Sequence, residues 1–355
     1  MMSNAWEKNV RKVIPYTPGE QPKKENMIKL NTNENPYPPA PAAEKLIKDF
    51  HTDNLRLYPD PLAKKLVDAI ADFYDLKSSQ VFVGVGSDDV LAMLFMTFFN
   101  AKEPILFPDI TYSFYDVWAN MLKIPFETIS LDENLKIKKE DYYRKNGGII
   151  FPNPNAPTGV LESIADIEEV VKHNPDVIVM IDEAYIDFGG VSALPLIDKY
   201  DNVIVIQTFS KSRSLAGLRI GYALANEKLI SYLNDVKYSF NSYTMNTPSI
   251  ELGAAAVKDK TYFEEMLQKV VITREWTKKE LKKLGFLFED SKSNFIFATH
   301  PDYRAVTLMQ MLREKDIYVR HFDKPERICE YLRISIGTDE QMKILVSAFK
   351  QYMKK

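Results

Sequence analysis

The sequence predicts an α/β fold: a mostly parallel central sheet with helices on both faces, followed by a smaller α+β C-terminal domain. Three observations lead to this prediction. Short apolar, β-branched runs alternate with helix-length intervals between about residues 62 and 245. Asn153, Asp182 and Lys211 follow one another at intervals of 29 residues, about one βαβ unit each. After about residue 245, a long charged segment and a mixed pattern replace this alternation.

The apolar runs of the first part are continuous, which is typical of strands buried on both faces of a parallel sheet. The run at 219–223 follows the previous one too closely for a helical crossover, so we expect one antiparallel strand there. The predicted strands are VFVG (81–84), PILFP (104–108), GGIIFP (147–152), DVIVMID (176–182), NVIVIQT (202–208) and RIGYA (219–223).

A chain of 355 residues is long enough for two domains. The first forty residues contain PYTPGEQP and NTNENPYPPAP, which are rich in turn formers and predict an irregular arm. We expect this arm (1–40) to join the small domain. The large domain would span 41–245. The small domain (246–355) would include a long helix over KDKTYFEEMLQKVVITREWTKKELKKLG and strands in FLFED, SNFIFA, IYVRH and YLRISIG.

Composition and charge exclude several classes of protein. Apolar residues make up 45% of the chain and charged residues 27%, which excludes a disordered or fibrous protein. The net charge of −3 gives no global signal for binding nucleic acid or an anionic membrane. The single cysteine excludes an internal disulfide, and the four histidines lack the spacing of metal ligands. With neither a signal-peptide pattern nor a membrane-length apolar stretch, we expect a cytoplasmic protein without a metal site.

Polar clusters follow the predicted strands, and ligands of open α/β sheets bind beyond the carboxyl ends of the strands. In GVGSDD (84–89), Ser87 is a plausible helix N-cap and free N–H groups could hold a phosphate, although the two acids could simply complement the helix dipole. NPNAPTG (153–159) is also compatible with an ordinary turn. DEAYIDF (182–188) places an acid at the end of a buried strand, where its charge needs a partner.

The segment TFSKSRSLAGLRIGY (208–222) carries the sharpest chemical signal. Lys211 directly follows a very apolar strand and is flanked by hydroxyl-bearing residues. Most lysines are simply solvated, but a lysine in a partly desolvated place is the type that forms Schiff bases. Arg219 begins the next run and can return to the same place.

Taken in order, GVGSDD, NPNAPTG, DEAY, SK…AGLRIG and YLRISIG resemble the motifs of fold-type I aminotransferases that depend on pyridoxal 5'-phosphate (PLP). The resemblance covers essentially the whole chain and implies a seven-stranded central sheet. Together with PYTPGE, LNTNENPY and LYPDP, the motifs are similar to those of the histidinol-phosphate aminotransferases, a class-II group. That resemblance implies transamination between L-histidinol phosphate and 2-oxoglutarate, giving imidazole acetol phosphate and L-glutamate in histidine biosynthesis.

The same resemblance assigns roles around the cofactor. Lys211 would hold PLP as an internal aldimine and would move the proton at the substrate Cα. Asp182 would pair with the pyridine nitrogen, Tyr185 would bond the phenolic oxygen and Tyr112 would stack on the ring. The predicted phosphate ligands are Ser87, Asp88, Thr208, Ser210 and Arg219, together with Tyr58 of LYPDP, which would reach the partner subunit in a homodimer with shared active sites.

One position departs from the family pattern. The family usually has Asn directly before Pro-Thr-Gly, where it bonds the phenolic oxygen of PLP, and here that position is Ala156. Asn155, one residue earlier, is the candidate replacement, although its side chain need not point the same way.

The substrate side of the resemblance rests on two arginines. Arg333 in YLRISIG would grip the substrate α-carboxylate, because a planar guanidinium fixes orientation as well as affinity. Arg320 in IYVRHF would accept either the distal carboxylate of glutamate or the phosphate of histidinol phosphate. Tyr16 and Asn33 resemble substrate-facing positions on the arm.

Three alternatives remain open at this point. The first is an aromatic or broad-specificity aminotransferase on the same scaffold. The second is a PLP decarboxylase that acts on a phosphorylated amino acid. The third, a PLP-binding regulator, is disfavoured because such proteins usually append a DNA-binding domain and this chain has no spare basic segment.

Overall fold

The computed structural model describes residues 5–16 and 19–354. In these residues the strands are β1 (Ile28–Leu30), β2 (Val81–Gly84), β3 (Ile105–Pro108), β4 (Phe126–Ile129), β5 (Ile149–Pro152), β6 (Val179–Asp182), β7 (Val203–Thr208), β8 (Gly221–Ala225), β9 (Phe295–Thr299), β10 (Ile317–His321) and β11 (Tyr331–Ser335). The α-helices are α1 (Pro41–Lys48), α2 (Lys64–Tyr74), α3 (Ser87–Phe98), α4 (Tyr115–Leu122), α5 (Ile164–Lys172), α6 (Glu227–Phe240), α7 (Thr247–Lys258), α8 (Lys260–Lys283), α9 (Ala305–Arg313) and α10 (Asp339–Met353). None of the helices described there is both long enough and apolar enough to cross a membrane.

The larger sheet has seven strands in the order β2-β8-β7-β6-β5-β3-β4. The predicted α/β fold with a mostly parallel seven-stranded sheet is confirmed, and β8 is the predicted antiparallel strand between β2 and β7. The apolar runs did not predict β4, which pairs only with β3 at the edge of the sheet. Its sequence FETI has two exposed residues in the middle, because an edge strand need not be buried on both faces.

Side chains of the central strands alternate between the two faces of the sheet. Ile181 and Val205 pack into a core with α2, α5 and α7 on one face. Met180 and Ile204 pack into a second core with α3, α4 and α6 on the other face. Both faces are therefore covered, which explains why the runs along these strands are continuously apolar.

The smaller sheet has the order β1-β10-β11-β9. Strand β1, from the N-terminal arm, pairs in parallel with β10, while β10, β11 and β9 pair antiparallel. Helices α8, α9 and α10 contribute to the core under this sheet. The FLFED run forms only an isolated bridge between Leu287 and Thr299 instead of the predicted strand.

Helix α7 bears on the predicted domain boundaries. Its side chains Ile250 and Ala254 belong to the core of the larger sheet, although the sequence analysis assigns 246–355 to the small domain. The division into 1–40, 41–245 and 246–355 stays a prediction, and this packing favours a boundary near Asp259, between α7 and α8.

The topology of the larger sheet fixes where a ligand site can form. Strands β2, β3, β5, β6 and β7 all run in one direction. Their carboxyl ends therefore lie along one edge, and the polar clusters of the sequence follow those ends.

Candidate active site

Two glycines shape the corner at the start of α3. The helix begins at Ser87, so Ser87 is not the N-cap; Gly86 precedes it, with φ +84°. A Cβ on Gly86 would lie 2.3 Å from Nη2 of Arg219, and a Cβ on Gly221 would lie 2.3 Å from the Ser87 nitrogen. Glycine is needed at both places because the guanidinium and β8 approach the helix start so closely. N–H groups of the first turn have no acceptor within the helix, so donors converge there.

The Asp88 side chain joins this corner to the rest of the predicted phosphate site. It accepts hydrogen bonds from the Tyr112 hydroxyl at 2.6 Å and from Arg219 Nη2 at 3.1 Å. Burial, together with the negative charge of Asp88, raises the pKa of Tyr112. Arg219 Nη1 also donates to Ser210 Oγ at 3.4 Å, and Thr208 Oγ1 donates to the same oxygen at 3.0 Å. A guanidinium, two hydroxyls and first-turn amides form a donor set that suits a phosphate group.

Asp182 lies at the end of β6 and is buried. Its carboxylate accepts hydrogen bonds from the Tyr115 hydroxyl at 2.8 Å and from the Ala184 amide at 3.2 Å. Burial raises the pKa of Asp182 to about 6, because these neutral donors only partly compensate for the loss of solvent. A protonated ring nitrogen would supply the missing countercharge, so the residue fits the predicted cofactor.

The sequence analysis missed Tyr115. Its ring centroid lies 5.7 Å from that of Tyr112, so the two tyrosines connect Asp182 with Asp88. Tyr112 lies before α4 and Tyr115 is the first residue of that helix, so helical spacing gave no signal for this contact.

Lys211 is half-buried beside the N-terminal arm. Its Nζ donates a hydrogen bond to the Thr32 carbonyl at 3.3 Å and lies 5.6 Å from the centroid of the Tyr185 ring. The Tyr185 hydroxyl in turn accepts a hydrogen bond from Asn33 Nδ2 at 3.0 Å. The structure thus brings together the lysine, the tyrosine and the arm residue that the sequence analysis placed in one site.

Two residues of the candidate site have a left-handed backbone. Asn33 has φ +58° and Arg219 has φ +53°, a region that side chains other than glycine rarely occupy. Such conformations cost on the order of 1–3 kcal/mol each and cluster at functional sites, where the surrounding structure holds them in place.

Arg320 and Arg333 face each other across the antiparallel pair β10 and β11. Each guanidinium carbon lies close to the Phe322 ring, at 5.4 Å from the centroid for Arg320 and 5.5 Å for Arg333. Arg333 Nη2 donates to the Asn31 carbonyl at 3.2 Å, whereas its buried Nε has no hydrogen-bond partner in the described part of the chain. Burial, with a further contribution from the charge of Arg320, lowers the pKa of Arg333. Two adjacent cations of this kind suit a substrate with two anionic groups.

A cleft of about 1140 Å³ lies between the arm and the two sheets. Its lining includes Tyr16, Tyr112, Arg320 and Phe322, and the Tyr16 ring stacks on Phe114 with 4.4 Å between centroids. Lys211, Asp182, Arg219 and Arg333 are not among the residues that line it. The cleft therefore supplies open space beside the predicted substrate residues, while the predicted cofactor residues form a denser cluster.

Two predicted site residues stand apart. Tyr58 is 83% exposed on the single chain, and its ring packs against Tyr243 with 4.8 Å between centroids. Asn155 is buried and directs its amide nitrogen to the Ile110 carbonyl at 2.9 Å and to Thr158 Oγ1 at 3.1 Å. Both amide hydrogens of Asn155 are therefore used by protein acceptors, which leaves none for the predicted contact with the cofactor ring. Among the described residues, no three His, Cys, Asp or Glu side chains form a group that could hold a metal.

Comparison with known proteins identifies the family of the chain. The sequence profile of the family "Aminotransferase class I and II" matches residues 25–349. A histidinol-phosphate aminotransferase of Lactococcus lactis subsp. cremoris is 50% identical over 350 residues, which cover 99% of this chain and 98% of the relative. One of Acinetobacter baylyi is 52% identical over 352 residues, covering 98% of this chain and 97% of the relative.

Solved structures show the same fold. The histidinol-phosphate aminotransferase of Clostridium acetobutylicum superimposes with a TM-score of 0.85 and 24% identity, covering 92% of this chain and 99% of that one. The enzyme of Sinorhizobium meliloti, solved in complex with pyridoxal-5'-phosphate, has a TM-score of 0.82 and 21% identity, covering 92% and 91% of the two chains. The chain belongs to the class I and II aminotransferases and, within them, to the histidinol-phosphate aminotransferase family.

Proposed function

We propose that the protein transfers an amino group between L-histidinol phosphate and 2-oxoglutarate, giving imidazole acetol phosphate and L-glutamate in histidine biosynthesis. The observation that carries this proposal is the pair Arg320 and Arg333, two adjacent cations that form no ion pair with an acid among the described residues. Relatives that bear this enzyme name are about half identical to the chain over nearly its whole length. PLP is the cofactor.

When bound, PLP supplies the electron sink that lets the Cα–H bond of the substrate ionise. Lys211 would hold PLP through its Nζ; displaced by the substrate amine, the freed Nζ would take the proton from the substrate Cα as general base and return it to the cofactor as general acid. The Asp182 carboxylate keeps the ring nitrogen protonated, since a buried acid with only neutral partners favours a cation beside it. Tyr185 bonds the phenolic oxygen, and Tyr112 packs on the ring. The phosphate ligands are Ser87, Asp88, Thr208, Ser210 and Arg219.

The two arginines explain how one site accepts two different amino donors, glutamate and histidinol phosphate. Arg333 holds the α-carboxylate of glutamate through Nε, which has no protein partner in the described chain, and an adjacent guanidinium nitrogen. Arg320 holds the distal carboxylate of glutamate or the phosphate of histidinol phosphate. Tyr16 and Asn33 contact the substrate from the arm. Fixing both ends of the substrate orients the Cα–H bond toward Lys211, and positioning of this kind lowers the barrier to proton transfer.

The proposed active unit is a homodimer in the cytoplasm. Tyr58 is 83% exposed, and further apolar side chains around it are exposed on the single chain, including Leu55, Leu57, Leu62 and Phe240. A second copy covering this surface would bury them, and Tyr58 would then bond the cofactor phosphate of the partner subunit.

A mixing experiment tests the shared site. Lys211→Ala and Tyr58→Ala subunits are each expected to have low activity alone. After subunit exchange, the mixed dimer contains one site with both an intact Lys211 and an intact Tyr58, so activity is expected to reappear. No recovery in samples that sedimentation shows to be mixed dimers would contradict the assignment of Tyr58.

The substrate assignment is tested by incubating the holoenzyme with L-histidinol phosphate and 2-oxoglutarate and measuring L-glutamate. Glutamate is expected with the wild type, while Lys211→Ala is expected to lose both turnover and the absorbance of lysine-bound PLP. Phenylalanine and tyrosine as donors measure any aromatic activity. Carbon dioxide release without 2-oxoglutarate would identify a decarboxylase instead, and a wild type that forms no glutamate would refute the proposal.

A further inference from the structure

The arm segment at 31–33 touches the candidate site at three successive residues. The Asn31 carbonyl accepts a hydrogen bond from Arg333, and the Thr32 carbonyl accepts one from Lys211 Nζ. The Asn33 side chain donates a hydrogen bond to the Tyr185 hydroxyl. The arm is also tied to the small sheet, because the backbone N–H of Asn33 donates a hydrogen bond to Ser335 Oγ at 2.9 Å. The arm therefore connects the predicted lysine with the predicted carboxylate ligand.

Two residues further along, Asn35 contacts the backbone of the lysine itself. Its Nδ2 donates to the carbonyl oxygen of Lys211 at 3.0 Å and to that of Ser212 at 3.2 Å. Its Oδ1 accepts a hydrogen bond from the Tyr37 N–H at 3.1 Å. Both sides of the amide thus have partners of the required type, so the nitrogen must face the two carbonyls. The side chain is half-buried and none of the proposed reaction steps uses it.

We propose that Asn35 is a positioning residue that holds Lys211 in place from the N-terminal arm. The inference rests on the role proposed above for Lys211. The backbone that follows the lysine is held from a second direction, because the Ser212 hydroxyl donates to Asp187, and Ser214 has a left-handed φ of +58°. Loss of the Asn35 bonds would remove the hydrogen bonds that tie the backbone of Lys211 and Ser212 to the arm. The Nζ would then sample more positions relative to the substrate Cα, and small displacements of reacting groups reduce rates strongly.

The residue type makes the proposal specific. In Asn35→Asp, a carboxylate of nearly the same size would face two carbonyl oxygens, which repel it. In Asn35→Ala, the bonds are lost without repulsion. If Asn35 only filled space, replacement by Asp would be less harmful than replacement by Ala. If its amide positions Lys211, Asp is expected to be the more harmful replacement.

The chain offers a matched control. The exposed Asn100 also donates through Nδ2 to two backbone carbonyls, those of Met96 and Thr97, each at 3.0 Å, at the end of α3. Asn100→Asp therefore introduces the same chemical change outside the proposed site and is expected to leave the kinetics unchanged.

The first measurement is the rate at which acetic anhydride labels Lys211 in the cofactor-free protein, followed by peptide mass spectrometry. Because it needs neither cofactor nor substrate, it decides the role of Asn35 even where the substrate assignment is wrong. We expect the labelling rate of Lys211 to change at least about three-fold in Asn35→Asp and less in Asn35→Ala, with labelling of other lysines unchanged. An unchanged rate in both variants would overturn the proposal.

The second measurement uses the holoenzyme. We expect Asn35→Asp to lower kcat by roughly 10–100-fold with the KM for 2-oxoglutarate within about two-fold, and to shift the pH midpoint of the absorbance of lysine-bound PLP. Asn35→Ala is expected to lie between that variant and the wild type. An equal or smaller effect of Asp than of Ala, or a loss of thermal stability with an unchanged midpoint and kcat, would overturn the proposal.

Discussion

The two walls of the candidate site differ in how their charges are compensated. On the large-sheet wall, both acids have partners: Asp88 binds Tyr112 and Arg219, and Asp182 accepts two hydrogen bonds from neutral donors. On the small-sheet wall, Arg320 and Arg333 face each other across two strands. Among the described residues, neither arginine forms an ion pair with an acid.

The difference indicates which wall is complete before the substrate arrives. The large-sheet wall needs only the cofactor, because its acids and donors are already arranged by hydrogen bonds. The small-sheet wall holds two like charges beside the Phe322 ring, and burial lowers the pKa of Arg333. An anionic substrate would supply the missing countercharge, so much of its binding energy should come from this wall.

The largest effect is expected from Arg333→Met. If Arg333 binds the substrate carboxylate as proposed, loss of these charged hydrogen bonds should lower kcat/KM for transamination from glutamate on the order of 10³-fold. Because the removed cation has no acid partner, the thermal unfolding temperature of the cofactor-free protein should fall little. Steady-state kinetics and differential scanning calorimetry measure the two quantities. A large drop in unfolding temperature would show instead that this arginine serves the fold.

The next effect concerns Glu183, a buried acid that directly follows Asp182 in the sequence. Glu183 accepts hydrogen bonds from Ser192, Ala193 and Gln207, all neutral, and burial raises its pKa to about 7. Between about pH 4.5 and 7 the folded state holds a proton that the unfolded state has lost, so this group's contribution to stability falls as pH rises. Glu183→Gln should remove that slope, on the order of 2 kcal/mol between pH 5 and pH 8.

Urea unfolding of the cofactor-free wild type and Glu183→Gln at both pH values measures this difference. Glu183→Gln also lowers the free energy of unfolding at both pH values, because hydrogen bonds are lost. The quantity to compare is therefore the difference in unfolding free energy between pH 5 and pH 8 within each protein. Equal changes in the two proteins would contradict the prediction.

A smaller effect is expected from Tyr115→Phe, which removes one of the two donors to Asp182. The carboxylate is then less stabilised and the pKa of Asp182 rises further, so kcat should fall about 10-fold and PLP should bind less tightly. Tyr142→Phe is the matched control, because the buried Tyr142 hydroxyl has no hydrogen-bond partner in the described chain. The assignment fails if both variants behave alike in kinetics and in cofactor titration.

The smallest effect is expected from Phe322→Leu. Loss of the ring that both guanidiniums contact should raise the KM for glutamate about three-fold, because each cation–π contact contributes about 0.5–1 kcal/mol. Phe322→Tyr retains the aromatic face and should remain close to the wild type. If Leu and Tyr raise KM equally, the ring does not hold the arginines.

Much of the larger sheet could be predicted because strands buried on both faces must be continuously apolar, as β6 and β7 are. The edge strand β4 and the three-residue β1 could not, because one is half-exposed and the other depends on pairing with β10. Within the candidate site, motifs predicted Lys211 and the residues that the structure places near it, such as Tyr185 and Asn33.

Contacts between distant parts of the chain were beyond the reach of the motifs. Tyr115, at the start of α4, bonds Asp182 at the end of β6, and Asn35 bonds Lys211 from the arm. The Asn155 amide bonds the carbonyl of Ile110, which follows β3. In each case the partner is set by tertiary packing, which spacing along the sequence does not encode.

The pairing of Ile28 with Ile317 has a consequence for how the enzyme is made. Strand β1 of the arm precedes its partner β10 by nearly the whole length of the two sheets, so β10 emerges from the ribosome only much later. Until then, the arm residues that bond Lys211 and Arg333 have no fixed position beside the small sheet. An incomplete nascent chain should therefore be unable to assemble this site, even where its larger sheet has already folded.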